Sequence, residues 1–373
     1  MSTAPVSELA LPGRLGDPER SPATDPRIDP SLLAALATYG LDVVGDAPPV
    51  DRSTPIEQVL EFVLGVETGF GGLYTAMPHD FPSERGEVEL SVQHAPGRDG
   101  RDIPLHIFTP AGATTPLPCI VYLHGGGMAV MQTTNPVHQQ WCEDLAATGA
   151  VVIAVDFRNS ATAGGLNPFP IGLNDCSDAV AWIHEHRAAL GIAKIVLQGE
   201  SGGANLVLAT TLAAKRDGRL DAIDGVYAMV PYISGAYRWD RDRKLAELPS
   251  LVENDGYYID CKMLDLLVMT YDPTGEQAEN PLAWPYFATV EDVAGLPPHV
   301  ISTNELDPLR DEGMAYVRTL RRAGVSATGR VNLGLVHTAD SIWGFAVPEV
   351  YAATVADIKR FADSLEGTST TDR

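Results

Sequence analysis

The chain has 373 residues, 45% of them hydrophobic and 20% charged, a balance that suits a folded globular protein and excludes a disordered one. Acidic residues outnumber basic ones 49 to 26, for a formal charge of −23, so the mean surface field repels phosphate backbones and anionic head groups, and neither nucleic acid nor a membrane is an expected partner. The four cysteines (Cys119, Cys142, Cys176, Cys261) form no C-x-x-C pair and so offer neither a metal site nor a disulfide framework. With no signal-like N-terminus and no eighteen-residue apolar run, a cytoplasmic location is expected.

In chain order, the first thirty residues are rich in proline and charge (DPERSPATDPRIDP), which predicts an extended arm. A capped helix is expected in DPSLLAALATYG, with Pro30 just after its cap. A second is expected in STPIEQVLEFVLGVETGFGGLYTAM, capped by Ser53 or Thr54. Residues 29 to 80 thus read as a helical N-terminal piece. From there strand-like runs (GEVELSVQHA, IPLHIFTP, PCIVYLHG, AVVIAVDF, KIVLQ, GVYAMVP, HVISTNE, ATGRVNLG) alternate with amphipathic helical segments. Short, nearly continuous β-branched strands separated by helices require a mostly parallel sheet covered on both faces, so the fold class is α/β. About seventy residues separate the strand ending near Pro231 from the one starting near Pro298, far more than a crossover needs, and this insertion is expected to form a lid with the N-terminal helices. The expected division is an arm and cap segment over 1–85, a core over 86–235, a cap insertion over 236–285, and the rest of the core with a frayed tail over 286–373.

One pentapeptide, Gly199-Glu200-Ser201-Gly202-Gly203, stands between an apolar strand (KIVLQ) and a good helix former (NLVLATTLAAK). A serine hydroxyl becomes a nucleophile only when a base can reach it, and a sharp strand-to-helix turn exposes it. Such a turn leaves no room for side chains two positions before and after, hence glycine there. Ser201 is therefore the candidate nucleophile. Attack on a carbonyl also needs amide donors for the developing oxyanion. The three glycines of CIVYLHGGGMAV let the backbone approach a substrate, so Gly126 and Gly127 are candidates, with Gly202 at the helix N-terminus as a third donor. His124 in the same motif reads as a loop-fixing residue. In the strand–turn–helix form of this chemistry the chain order is nucleophile, acid, base, and only His299 and His337 follow the elbow. His299 starts an apolar strand and reads as a buried imidazole; His337, in a loop after the final strand, is the candidate base. For the acid, STNELDPLRDEG offers Glu305, Asp307, Asp311 and Glu312. Asp307 follows the strand directly and is favoured, while Asp311 and Glu312 suit the first turn of the next helix.

Together HGGGM, GESGG, LPPHVISTNELDPLRDEG and GLVH resemble the bacterial hormone-sensitive-lipase group of α/β-hydrolase esterases, over most of residues 115 to 345. The resemblance implies an eight-stranded, mostly parallel sheet with a helical cap. It implies hydrolysis of small to medium carboxylic esters or lactones with no cofactor and no metal, a small-molecule ester as partner, and compatibility with a homodimer. It carries the nucleophile onto Ser201, the acid onto Asp307, the base onto His337 and the oxyanion amides onto Gly126, Gly127 and Gly202. Amidase or acyltransferase activity on the same residues, or a non-catalytic ligand receptor on the same fold, are the alternatives. Two departures bear on pocket shape: VDFRNSATAGGLNPFP stands where many relatives have D-Y-R-L-A-P-E, and His337-Thr338-Ala339 stands where they have H-G-F. Phe62, Phe70, Tyr74, Tyr237, Trp239, Tyr257 and Tyr258 are candidate pocket aromatics, and Glu200 receives no role.

Overall fold

The computed structural model describes residues 11–79 and 86–365. Strands β1 (Val88–Pro96), β2 (Asp102–Pro110), β3 (Leu117–Leu123), β4 (Val151–Val155), β5 (Ile192–Glu200), β6 (Gly225–Met229), β7 (His299–Asn304) and β8 (Ala327–Asn332) form one sheet. Their order across it is β1-β2-β4-β3-β5-β6-β7-β8. Only the β1–β2 and β2–β4 pairs are antiparallel; every later pair is parallel. All eight strand-like runs of the sequence are strands of this sheet, which is an α/β-hydrolase fold.

Strand alternation divides the core in two. Along β3, Cys119, Val121 and Leu123 enter one apolar cluster and Ile120 and Tyr122 the other. The first cluster also takes the inner faces of helices Ile171–His186, Gly202–Arg216 and Arg310–Arg322; the second takes those of Pro136–Ala147 and Pro348–Ser364. Burial on both faces is why the central strands β3, β4 and β6 are apolar nearly throughout, whereas the edge strands, β1 largely exposed and β8 partly exposed, carry polar residues. All four cysteines are buried and unbridged in this packing.

Parallel pairing aligns the strand exits at one rim. Leu123 pairs with Gly199, Glu200 with Met229, Met229 with Ser302 and Asn304 with Asn332. The loops after β3, β5, β7 and β8 therefore emerge side by side, where ligands bind in sheets of this kind. Helices Ile56–Ala76 and Cys261–Tyr271 pack together over that rim, and Arg52 forks onto Asp265 at 2.7 Å beside them. Among the described residues no helix is long and apolar enough to cross a membrane.

Three local expectations need correction. Residues 11–30 do not form a free arm. Asp25 is buried and accepts from the Tyr257 hydroxyl at 2.9 Å, Arg27 bridges Asp25 and Glu253, and the Asp29 amide donates to the Gly334 carbonyl at 2.9 Å. Proline composition reports local stiffness and is blind to these long-range partners. The helix Ile56–Ala76 has Pro55 at its cap position, while Ser53 and Thr54 instead build a turn on Asp51. A two-stranded hairpin, Ala161–Thr162 with Gly165–Leu166, lies outside the main sheet where no strand was expected. By contrast, Asp29 does cap the helix Pro30–Thr38, accepting from the amides of Ser31 and Leu32.

Candidate active site

The turn after β5 is as sharp as its glycines imply. Ser201 has φ 54° and ψ −118°, a conformation costing an ordinary residue of order 1–3 kcal/mol. A Cβ on Gly203 would lie 1.9 Å from the Leu123 carbonyl oxygen, and one on Gly199 would lie 2.6–2.7 Å from the backbone of Gly203 and Leu123. Both contacts are with backbone, so neither can be relieved by rotating a side chain. The glycines two before and two after the serine are there because β3, β5 and the following helix meet at this point.

The same crowding positions the loop after β3. Gly126 and Gly127 adopt φ of 102° and 63°. A Cβ on Gly202 would lie 2.6 Å from the Gly127 nitrogen, so the amides of the two segments sit together beside Ser201. Gly125 directs its own amide to Glu200 Oε1 at 2.7 Å, whereas the amides of Gly126 and Gly127 have no acceptor among the described residues. The unusual NSATAGG loop supports this arrangement from behind. Asn159 donates to the Met131 carbonyl at 2.6 Å, and the Ser160 and Ala161 amides donate to the carbonyls of Met128 and Ala129.

The four acid candidates are separated by their partners. Asp307 is fully buried, its Oδ2 2.8 Å from His337 Nδ1 while its Oδ1 accepts from the Leu309 amide at 2.8 Å. A carboxylate accepts, so the imidazole proton is on Nδ1 and the Nε2 lone pair is free. Glu305 instead accepts from the Gly334 amide, Asp311 from the Ser250 amide, and Glu312 from the Ile233 and Ser234 amides and the hydroxyls of Ser234 and Tyr237. The acid loop is further tied down by Asn254, which donates to the carbonyls of Glu305 and Asp307, and by Ser250, which donates to that of Pro308. Asn304 holds the His337 loop through the Val336 carbonyl and Asp340. His299 lies away from this cluster, bonded to the Pro297 carbonyl, with burial lowering its pKa to about 4.

Ser201, His337, Gly126 and Gly127 open onto one cavity of about 480 Å³. Of the seven aromatic candidates, Phe62, Phe70, Tyr74 and Tyr258 line it. The others are engaged elsewhere: Tyr237 stacks on Tyr232, Trp239 lies under the Arg243 guanidinium and Tyr257 binds Asp25. Apolar residues absent from the sequence reading, Met263 and Leu267 from one cap helix and Ile342 after the His337 loop, complete the walls. No local motif marks them, because only the packing of distant helices turns them toward the serine.

Two polar cavity residues were also missed. Glu200 is buried and accepts from the Gly125 amide and, at 2.9 Å, from the Tyr122 hydroxyl; burial pushes its carboxyl up to about 8. His138, equally buried, is bonded through Nδ1 to the Gln132 carbonyl at 2.8 Å, and burial lowers its pKa to about 3. His124 stacks between His138 and Phe157 and is bonded to the Gly125 carbonyl.

Comparison with known proteins places this arrangement in a group. The family described as alpha/beta hydrolase fold matches residues 120–340. A solved brefeldin A esterase, described as a bacterial homologue of human hormone-sensitive lipase, superposes with a TM-score of 0.93 at 56% identity, covering 95% of this chain and 98% of that one. An arylesterase of Saccharolobus solfataricus is 31% identical over 71% of this chain and 80% of its own length. The carboxylesterase NlhH of Mycobacterium tuberculosis is 30% identical over 64% and 75% respectively.

Proposed function

Because this chain belongs to the α/β-hydrolase family, we propose that it is a serine carboxylesterase acting on small to medium carboxylic esters, lactones included. The observation that carries the reading is the meeting of the Ser201 elbow, the His337–Asp307 pair and two unsatisfied glycine amides at one apolar cavity. His337 Nε2 takes the Ser201 proton as the oxygen attacks the ester carbonyl, and the amides of Gly126, Gly127 and Gly202 receive the oxyanion. The alcohol leaves with that proton. A water molecule, activated by the same imidazole, then cleaves the acyl-enzyme. Asp307 keeps the Nδ1 tautomer and stabilises the transient imidazolium. The presence of a paired imidazole favours hydrolysis over a silent receptor.

In this reading residues 1–85 and 236–285 supply a cap over a core made of 86–235 and 286–373. The apolar walls from both cap segments bind the non-reacting parts of the ester. The enzyme works in the cytoplasm, a compartment that keeps its four cysteines as thiols, and a homodimer is compatible with the scheme. Hydrolysis of p-nitrophenyl acetate and butyrate by the wild type and by Ser201→Ala is the test. Hydrolysis that persists unchanged in the variant would refute the proposal.

A further inference from the structure

The cavity wall is mainly apolar; besides the catalytic groups it carries Asp46, Tyr74, Tyr258, Asp260 and Thr338, and one recess where Glu200 and His138 approach each other. Their unused atoms are complementary. Glu200 Oε1 already receives the Tyr122 hydroxyl and the Gly125 amide, whereas Oε2 is buried without a partner among the described residues. His138 gives its Nδ1 proton to the Gln132 carbonyl, which can only accept, so Nε2 carries a lone pair. Nε2 stands 3.9 Å from Glu200 Oε1, too far for the two residues to satisfy each other. Burial pushes the Glu200 carboxyl up to about 8 and the His138 imidazole down to about 3, which favours the neutral form of both between those two values. A neutral carboxyl with Oε1 accepting carries its proton on Oε2. The recess therefore offers one donor and one acceptor.

A hydroxyl group fits both at once, accepting from Oε2–H and donating to Nε2. A ketone or ether oxygen would satisfy only the donor, and an alkyl chain neither. The recess also lies next to the reacting centre. A Cβ on Gly125 would stand 3.3 Å from Glu200 Oε1 and 3.4 Å from Ser201 Cβ, so carboxyl and nucleophile flank the same glycine. We propose that Glu200 and His138 form a hydroxyl-recognising subsite, and that the preferred substrates are esters bearing a hydroxyl within a few bonds of the scissile carbonyl. This deepens the esterase reading and rests on it.

The test compares kcat/KM for methyl butyrate with methyl 2-hydroxybutyrate and methyl 3-hydroxybutyrate, and for propyl butyrate with 2-hydroxyethyl butyrate. Each value is divided by the ester's rate constant with hydroxide, to remove intrinsic reactivity. At one hydroxyl position at least, the normalised preference should reach about tenfold or more, the scale of an unmade buried hydrogen bond. It should collapse toward one in His138→Phe and persist in Glu200→Gln, whose amide can still accept through oxygen and donate into the recess. On the wild type alone, the corresponding methoxy ester, which cannot donate, should lose the preference. Each ratio is taken within one enzyme preparation, so a partly folded variant does not distort it. A wild-type ratio near one at every position would overturn the subsite, as would a preference unchanged by His138→Phe or kept by the methoxy ester. If none of the esters is hydrolysed, it is the esterase reading that fails.

Discussion

Replacing Asp307 with asparagine changes one atom pair and sets two neighbouring contacts in conflict. In the native chain Oδ1 accepts from the Leu309 amide and Oδ2 from His337 Nδ1, both at 2.8 Å. An asparagine has one acceptor and one donor for two donors. If its NH₂ faces the Leu309 amide, two donors meet in a fully buried site at a cost of about 1–3 kcal/mol. Turning it the other way satisfies Leu309 but presents NH₂ to His337 Nδ1, which must then become the acceptor. The imidazole proton moves to Nε2, the atom that takes the proton of Ser201 in the proposed mechanism. The second arrangement is the lower in energy, so the variant folds with the wrong tautomer. A serine hydrolase locked in that tautomer loses about 10⁴ in kcat, equivalent to roughly 5 kcal/mol of barrier. The assay is kcat on p-nitrophenyl butyrate for Asp307→Asn, with Asp311→Asn as control and thermal melts of both. Asp311 is bonded to Ser250, so its variant should stay within a few-fold of wild type in kcat. An Asp307→Asn enzyme that melts normally and keeps a tenth or more of wild-type kcat, or a control that loses the larger factor, would refute the assignment of the acid.

Other outcomes follow from the same geometry. Ser201→Ala should lower kcat by several orders of magnitude while leaving the melting temperature at or above wild type, because alanine removes only the hydroxyl; a fluorophosphonate probe should label the wild type and not the variant. Gly203→Ala places a methyl 1.9 Å from the Leu123 carbonyl and should fail to accumulate as folded protein or unfold at clearly lower denaturant. Gly40→Ala serves as its comparison, since Gly40 has a positive φ of 69° but open space around it, so only the backbone strain applies. Equal stability of the two would remove the steric account of the elbow. For pH, the folded chain keeps the Glu200 proton up to about 8, whereas an unfolded glutamic acid releases it near 4.5. Its stabilising contribution is therefore complete below pH 4.5 and is lost as pH rises through 8, a change of roughly 5 kcal/mol. Denaturant midpoints compared between pH 5 and pH 8 should fall less in Glu200→Gln than in the wild type, and parallel slopes would show that Glu200 does not titrate in this window.

Local chemistry in the sequence was enough for the strands, the elbow and the glycine loop. Each rests on a rule that operates within a few residues: β-branched runs for a doubly buried sheet, and glycine where two backbones touch at Leu123 and Gly203. The order of Ser201, Asp307 and His337 along the chain was equally legible, since parallel strands deliver successive loops to the same rim. Its place directly after the strand already favoured Asp307 among the four acids, but what each carboxylate faces was set by the tertiary structure. Glu305, Asp307, Asp311 and Glu312 are chemically alike within eight residues, and they differ in whether Gly334, His337, Ser250 or the 233–237 loop lies opposite. The same holds for the buried N-terminal segment, whose Asp25 and Arg27 find Tyr257 and Glu253 more than two hundred residues away. It holds too for the cavity walls and the recess of Glu200 and His138. A side chain's local pattern determines which element it joins, but its partners come from elements that share no sequence with it, and only their packing sets what a buried polar atom can bind.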